Sequence, residues 1–461
     1  MLERWFEIGR RGATVGGEVR GGLTTFMVMA YIIFVNPAIL SFAGIPPLQG
    51  QGPSFPATQA ATCLVAGAAT IAMGLAANYP LAVASGMGLN AVVAFQLIAG
   101  MKLPWTAAMG VVVLEGLVIT VLVLTGFREA VMNAIPGSLK RAISVGIGLF
   151  ILFIGLVSAG IVKPGPPGVP VTLGELTSAP VAVAVFGLLL ILWLTARRFS
   201  GALLVGILVT TAVAVAVNAA TRGRAFPTPG QAVWPTSLVA WPDFSTLGAG
   251  FDFSVFVRVG VITALVTIFS IMLSDFFDTM GTVIGIGGEA GWLTPDGRLP
   301  RLNRVLVVDS LGAVAGGAAG ASSATTYIES AAGVAAGART GLASVVTGAC
   351  FLLALFLAPL AGVVPAQATA PALIVVGYLM SRVVREIPFG DFEEGFPALL
   401  TLAVMPFTYS ITNGIGAGFV AYCFIKLVRG KGDQVAPMMY GAALAFVVYF
   451  VLPLIQRLFG V

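Results

Sequence analysis

Between Val259 and Leu273 the chain carries no ionisable side chain, and runs of this kind recur along its length. Only 9% of the 461 residues are charged, against 58% hydrophobic. An ordinary soluble protein carries roughly 25% charged residues. A chain so short of charge cannot clothe a water-facing surface of its own size, so its natural solvent is hydrocarbon. The sequence therefore predicts an all-α, polytopic membrane protein. A net charge of +5 would suggest nucleic acid in a soluble domain, but here it fits basic residues placed at helix ends. No nucleic-acid partner is expected; the bilayer is.

A helix crossing needs roughly 20 apolar residues. Runs of that order fall at about 21–41, 59–78, 80–99, 104–126, 139–160, 177–196 and 200–219. A second series follows at 257–282, 302–319, 321–339, 342–362, 369–385, 396–410 and 412–429. The stretch 436–456 is either a fifteenth crossing or the fourteenth, should 396–429 be irregular. The first nineteen residues are Arg-rich and lead into an apolar run without a small-residue cleavage pattern, which predicts a first membrane helix rather than a removed leader. With that end in the cytoplasm, the loops after even-numbered crossings hold Arg128, Lys140, Arg141, Arg197, Arg198, Arg298, Arg301, Arg304, Arg339, Arg382, Arg385, Lys426, Arg429 and Lys431. This is the positive-inside pattern, with Arg222, Arg224 and Arg258 as the main exceptions.

Cys63, Cys350 and Cys423 lie far apart in apolar segments, and there is no histidine. His-ligated metals, His-based triads and imidazole proton relays are thereby excluded, and neither cofactor nor metal is expected. "GIGG" at Gly285–Gly288 follows a membrane helix rather than a strand, so it reads as a helix end and not a phosphate loop. The Pro- and Trp-bearing stretch 220–250 reads as an extracellular connection between two halves.

Those halves share a motif. "GLAANYPLAVASGMGLNAV" (Gly74–Val92) and "AVAGGAAGASSATTYIESAAG" (Ala313–Gly333) both begin as small-residue helices, and each passes through a Gly/Ser/Thr-rich stretch to one strongly polar residue, Asn90 or Glu329. They fall in the third and tenth crossings. Seven crossings separate them, so the halves have opposite orientation, and interrupted segments at matching places point to a transporter's midplane site. The alternative is a pair of close-packing small-residue interfaces, which would not call for Asn and Glu at the matching position.

"SIMLSDFFDTMG" (Ser270–Gly281) sets Asp275 and Asp278 on one helix face in the eighth crossing. Asp309 lies in the ninth crossing, Glu329 in the tenth and Glu115 in the fourth. An Asp at the centre of a spanning helix costs about 2.5–3.5 kcal/mol. No Lys or Arg lies at mid-depth to neutralise these acids, so they are protonated, cation-bound or hydrogen-bonded to a ligand; helix–helix hydrogen bonding is the structural alternative, weightiest for Glu115 and Asp309. Asp278 and Asp309 are the candidate proton carriers. A carboxylate, an amide and the ring of Tyr327 suit a flat heterocycle, read by its edges through hydrogen bonds and by its faces through stacking. A sulfate-like anion would find no cation there.

At these residues the chain resembles the AzgA-type purine permeases, a branch of the nucleobase/ascorbate transporter superfamily. The likeness lies in "RGGLTTFMVMAYIIFVNPAIL" (Arg20–Leu40), "ASGMGLNA" (Ala84–Ala91), "SDFFDTMGT" (Ser274–Thr282), "SSATTYIESAAG" (Ser322–Gly333) and "FPALLTLAVMPFTYSITNGIGAGF" (Phe396–Phe419). It implies fourteen crossings in a seven-plus-seven inverted repeat, with crossings 3 and 10 broken by short extended pieces. It further implies a core domain at 1–126 and 255–365, a gate domain at 127–220 and 366–461, and an extracellular connection at 221–254. Members take up hypoxanthine, adenine and guanine with protons, and relatives dimerise through their gates. Asn90, Asp275 and Glu329 match positions implicated in purine binding, Asp278 matches a second functional acid, and Tyr327 resembles an aromatic beside the substrate in uracil-transporting relatives. Some relatives carry a histidine near the Asp278 position; this chain has none, so its coupling must run through carboxylates.

The expectation is a secondary active importer of purine nucleobases by proton symport, moving core against gate in the plasma or inner membrane. Sodium in place of the proton, and a same-fold carrier of uracil, xanthine or an inorganic anion, stay open. An intramembrane aspartyl protease would put its two acids on two helices, whereas Asp275 and Asp278 share one.

Overall fold

A computed structural model describes residues 2–43, 45–126, 134–166, 169–227, 230–235, 237–294 and 299–459. Arg128 and Arg298 lie outside the described residues, as do positions 460–461 and parts of the 221–254 connection. Eleven spans among the described residues are long and apolar enough to cross a membrane.

The first joins α1 (Val15–Met29) to α2 (Ile32–Leu40). Thr14 opens α1 by accepting the Gly17 amide at 3.0 Å, the ordinary remedy for the orphan donors of a helix start. The second, α3 (Phe55–Ala76), begins with Ser54 as cap and a proline in its first turn, where the missing N–H is harmless. A three-residue strand, β1 (Val83–Ser85), then precedes the short helix α4 (Met87–Ala91) and a wider-wound π turn over Val92–Gly100. Next come α5 (Trp105–Thr125) and α6 (Gly137–Ser158), then the hairpin of β2 (Val162–Pro164) with β3 (Val171–Leu173), then α7 (Ala179–Ala196) and α8 (Ala202–Ala220).

The second half runs α9 (Val261–Glu289), α10 (Leu302–Ala319), β4 (Ala324–Thr326), α11 (Ser330–Ala335), α12 (Gly341–Ala354) and α13 (Ala366–Ser381). It closes with α14 (Phe392–Thr408), α15 (Ile411–Val428) and α16 (Pro437–Phe459). Tyr409 takes the left-handed conformation at φ 52° and Ser410 caps α15. These two residues turn the chain tightly between α14 and α15. The "GIGG" run forms the last turns of α9. The segment at 436–456 is an apolar helix packed on α15 and α9. α14 is 17 residues long, shorter than a full span, and the polar stretches at 80–99 and 321–339 are not continuous helices.

Those two stretches meet. β1 and β4 pair antiparallel, with Val83 opposite Thr326, Ala84 opposite Thr325 and Ser85 opposite Ala324. A lone strand in hydrocarbon would leave its backbone unpaired, at a cost of several kcal/mol per group. Here each half supplies the other: Gly86 donates its amide to Ser323 O at 2.8 Å, and Tyr327 donates to Ala82 O at 2.9 Å. The ribbon lies between α3 and α10 and is buried throughout.

Helices around it form two packed groups. In the first, α12 lies on α1 and α3 while α5 lies on α9 and α10; in the second, α6 packs on α13 and α14 while α13 also holds α7. The α12–α1 and α12–α3 contacts are matched by those of α5 with α9 and α10, and the α6–α14 contact by that of α13 with α7. At the α6–α13 crossing, a Cβ added to Gly148 would stand 2.8 Å from Gly377 O, and one added to Gly377 would stand 2.5 Å from Gly148 O. Only glycine permits that backbone approach. One end of the molecule gathers basic side chains: Arg11 donates to Asn78 O and Arg339 O, Arg20 to Ala336 O, Arg304 to Ala76 O, and Arg301 pairs with Glu7 at 3.3 Å.

Candidate substrate and proton site

The β1–β4 ribbon places the polar residues that flank it. Asn90 leaves the Ser85 end on α4, and Glu329 leaves the Thr326 end just before α11, so the two depart from opposite ends of one ribbon. Asn90 is fully buried, yet neither its Oδ1 nor its Nδ2 has a hydrogen-bond partner among the described residues. A buried amide left wholly unpaired costs about 1–3 kcal/mol per group, an expense that a ligand would remove.

Glu329 is half-buried, and its Oε1 accepts from the Tyr31 hydroxyl at 2.7 Å. Tyr31 sits in the break between α1 and α2, a residue the sequence reading did not single out. Its signal was a hydroxyl-bearing ring in an otherwise apolar run. Tyr327 is buried and donates its hydroxyl to Ser85 O, which fixes the ring beside the ribbon. Tyr31, Tyr327, Glu329 and Asp278 lie within electrostatic range of one another.

On α9, Asp275 and Asp278 differ in setting. Asp275 is fully buried; its Oδ2 lies 3.0 Å from Ser323 Oγ and its Oδ1 has no partner. Asp278 is half-buried beside Phe277 and makes no hydrogen bond or ion pair among the described residues. Asp309 on α10 is held tightly: Oδ2 accepts from Thr279 at 2.7 Å and Oδ1 from Thr326 at 2.7 Å. Thr279 in turn lies 2.6 Å from Thr325 Oγ1. Asp309 thus ties α9, α10 and β4 together, while Glu115 on α5 lies 2.9 Å from Ser323 Oγ. No ion pair among the described residues reaches any of these five acids. No group of three His, Cys, Asp or Glu side chains among them is arranged to hold a metal ion.

Away from the membrane interior, Asp252 anchors the connection between the halves to the start of α5. The Thr106 hydroxyl, donating at 2.7 Å, and Ser254 hold the Asp252 carboxyl below the usual carboxylate range.

This arrangement offers unpaired hydrogen-bonding edges, a buried ring and a free carboxylate oxygen around one ribbon, with no nucleophile–base pair among the described residues. Residues 16–417 match the Permease family (Xan_ur_permease). The chain belongs to that family. It is therefore a multi-pass membrane permease and not an enzyme. The guanine/hypoxanthine permease PbuG of Bacillus subtilis (strain 168) is 40% identical over 464 residues, covering 98% of this chain and 99% of that one. The adenine permease AdeP of Escherichia coli (strain K12) is 39% identical over 451 residues, covering 98% and 96%. The resemblance read from the motifs is thus borne out at the level of the family. Solved structures share the fold at low identity. The transmembrane domain of the cyanobacterial bicarbonate transporter BicA superposes with a TM-score of 0.60 at 16% identity, covering 87% of this permease and 96% of that chain. The murine anion transporter Slc26a9, in its inward-facing state, gives 0.65 at 11% identity, covering 90% and 68%.

Proposed function

We propose that this permease imports purine nucleobases, with hypoxanthine, guanine and adenine as the candidates, by proton symport. The observation that carries the reading is the fully buried, fully unpaired amide of Asn90, set about the same ribbon as Glu329, Tyr327 and the free oxygen of Asp275. Glu329 and Asp275 accept hydrogen bonds from purine N–H groups, Asn90 supplies one donor and one acceptor, and the Tyr327 ring stacks on the base. Relatives named as guanine/hypoxanthine and adenine permeases support that substrate class. An inorganic anion would meet carboxylates and no cation.

Asp278, half-buried and unbonded, carries the proton. Asp309, whose oxygens are filled by threonine hydroxyls, keeps β4 in register. Counting β1–α4 and β4–α11 each as one broken crossing gives fourteen, with α16 as an additional apolar helix. The paired contacts between segments seven apart support an inverted repeat and an elevator-like movement of core (1–126, 255–365) against gate (127–220, 366–461). Arginines gathered at the end that holds the N-terminal segment support a cytoplasmic N-terminus in the cell membrane, and a homodimer through the gate is the assembly proposed.

Thermal shift of the purified protein tests the substrate class, since stabilisation follows RT ln(1 + [L]/Kd). Purines should raise the melting temperature; bicarbonate and sulfate should not. Glu329→Gln removes a charge-assisted acceptor worth about 1.5–3 kcal/mol, on the order of a ten- to hundredfold loss of uptake. Unchanged purine uptake by that variant would sink the site assignment.

A further inference from the structure

The Ser323 hydroxyl stands between two carboxylates, 2.9 Å from Glu115 Oε1 and 3.0 Å from Asp275 Oδ2. A serine has one hydroxyl proton and can donate it once. Two ionised carboxylates against one hydroxyl leave a lone pair facing a lone pair at hydrogen-bond distance, inside a fully buried site that no ion pair among the described residues reaches. Hydrogens balance only if one acid is protonated: that acid donates to Ser323 Oγ, and Ser323 donates to the other. The Asp309 network shows the contrast, because there Thr326 and Thr279 each donate to their own oxygen and Thr325 donates to Thr279, with no extra proton needed.

We propose that Glu115 and Asp275 share one proton through Ser323, which makes Glu115 a proton-holding residue of the transport cycle. The inference rests on the symport reading above and adds a residue to it. Two observations beyond the pair itself point the same way. Both acids are fully buried, their carboxyl groups lie close enough to interact directly, and neither Glu115 Oε2 nor Asp275 Oδ1 receives a donor among the described residues, so the pair has unfilled acceptor capacity. Ser323 is also fixed from behind, since its carbonyl takes the Gly86 amide at 2.8 Å and so ties the shared proton to the joint between the two halves. Other charges on the surrounding helices are engaged elsewhere: Lys140 lies over the Phe277 ring, Lys426 pairs with Glu393, Arg258 with Ser254, and Arg304 with Ala76 O. Asp278 and Asp309, the other acids nearby, bring no compensating positive charge. A second ionisation is therefore resisted until purine N–H groups reach Asp275 Oδ1, and purine and proton occupancy become linked at one carboxyl pair.

The test uses the full chain in proteoliposomes. Glu115→Gln should lose accumulation of labelled hypoxanthine driven by an imposed proton gradient while still exchanging labelled for unlabelled base. Accumulation with the pH dependence of the unaltered protein would overturn the proposal. Infrared difference spectra give a second reading: the unaltered protein should show a protonated carboxylic-acid band at neutral pH, and Ser323→Ala should displace it. An absent or unmoved band overturns the inference even if Glu115→Gln fails to exchange at all. Failure of the unaltered protein to exchange any purine would instead count against the function proposed above, and the spectra would still decide the shared proton.

Discussion

Asp309 and Asp278 both read as candidate proton carriers in the sequence, because both are acids in hydrocarbon, and their hydrogen bonding differs. We propose that Asp309, whose carboxylate receives two threonine hydroxyls at 2.7 Å, holds elements together rather than carrying the proton. Thr326→Val removes one donor and leaves a buried oxygen unpaired, which should cost about 1–3 kcal/mol and lower the detergent melting temperature. Uptake by Thr326→Val and by Asp309→Asn should fall while the shape of the pH profile is kept. An Asp309→Asn profile flattened across pH would return the carrier role to Asp309. At this scale the acids were legible because charge is conspicuous in an apolar chain. Ser323 and Tyr31 were not: hydroxyls are common among small and aromatic residues, and only the fold reveals that Ser323 touches acids from α5 and α9 at once.

Among the elements, the apolar helices could be read from composition, since faces packed in the protein and faces left on its surface are both apolar and leave long unbroken runs. The ribbon could be anticipated only as two irregular stretches. Its register, Ala84 against Thr325, depends on two segments some 240 residues apart and carries no local pattern. Boundaries slipped where caps rather than hydropathy set them: α1 starts at Val15, ahead of the expected 21, because Thr14 closes the helix there. Glycines were too numerous to interpret singly, yet their surroundings differ sharply. Gly377→Val drives a side chain into the backbone of α6, and overpacking of this kind costs about 1–3 kcal/mol, so it should reduce folded yield and melting temperature. Gly441→Ala in α16, where an added Cβ meets nothing within 4 Å, should be neutral or gain up to about 1 kcal/mol from helix propensity. Equal destabilisation by both changes would contradict the close α6–α13 crossing as the cause.

For the whole molecule, the proposed transport cycle requires one packed group to slide against the other, and the contact between α4 and α6 lies on that boundary. Gly88 belongs to the group that holds the ribbon, Ile147 to the other. A Cβ built on Gly88 stands 3.8 Å from Ile147 Cβ, with Ile147 Cγ2 closer at 2.5 Å. A disulfide needs Cβ atoms about 3.5–4.5 Å apart, so replacing both residues by cysteine removes the crowding methyl and leaves bridging geometry. Cys63 and Cys423 are buried and Cys350 is partly so, none of them near this pair in the sequence, so a Cys-free background can be made by changing three sites. In that background, Gly88→Cys/Ile147→Cys should transport when reduced, stop when oxidised, and recover with reductant, while each single substitution ignores the oxidant. A cross-linked protein that still accumulates hypoxanthine would mean that the two groups need not move apart here, and that access to the ribbon alternates by some smaller rearrangement. The same oxidised protein should still bind purine by thermal shift, because the bridge spans the boundary rather than Asn90, Asp275 or Glu329. Loss of binding together with transport would instead place the bridge inside the site, two residues from the Asn90 amide.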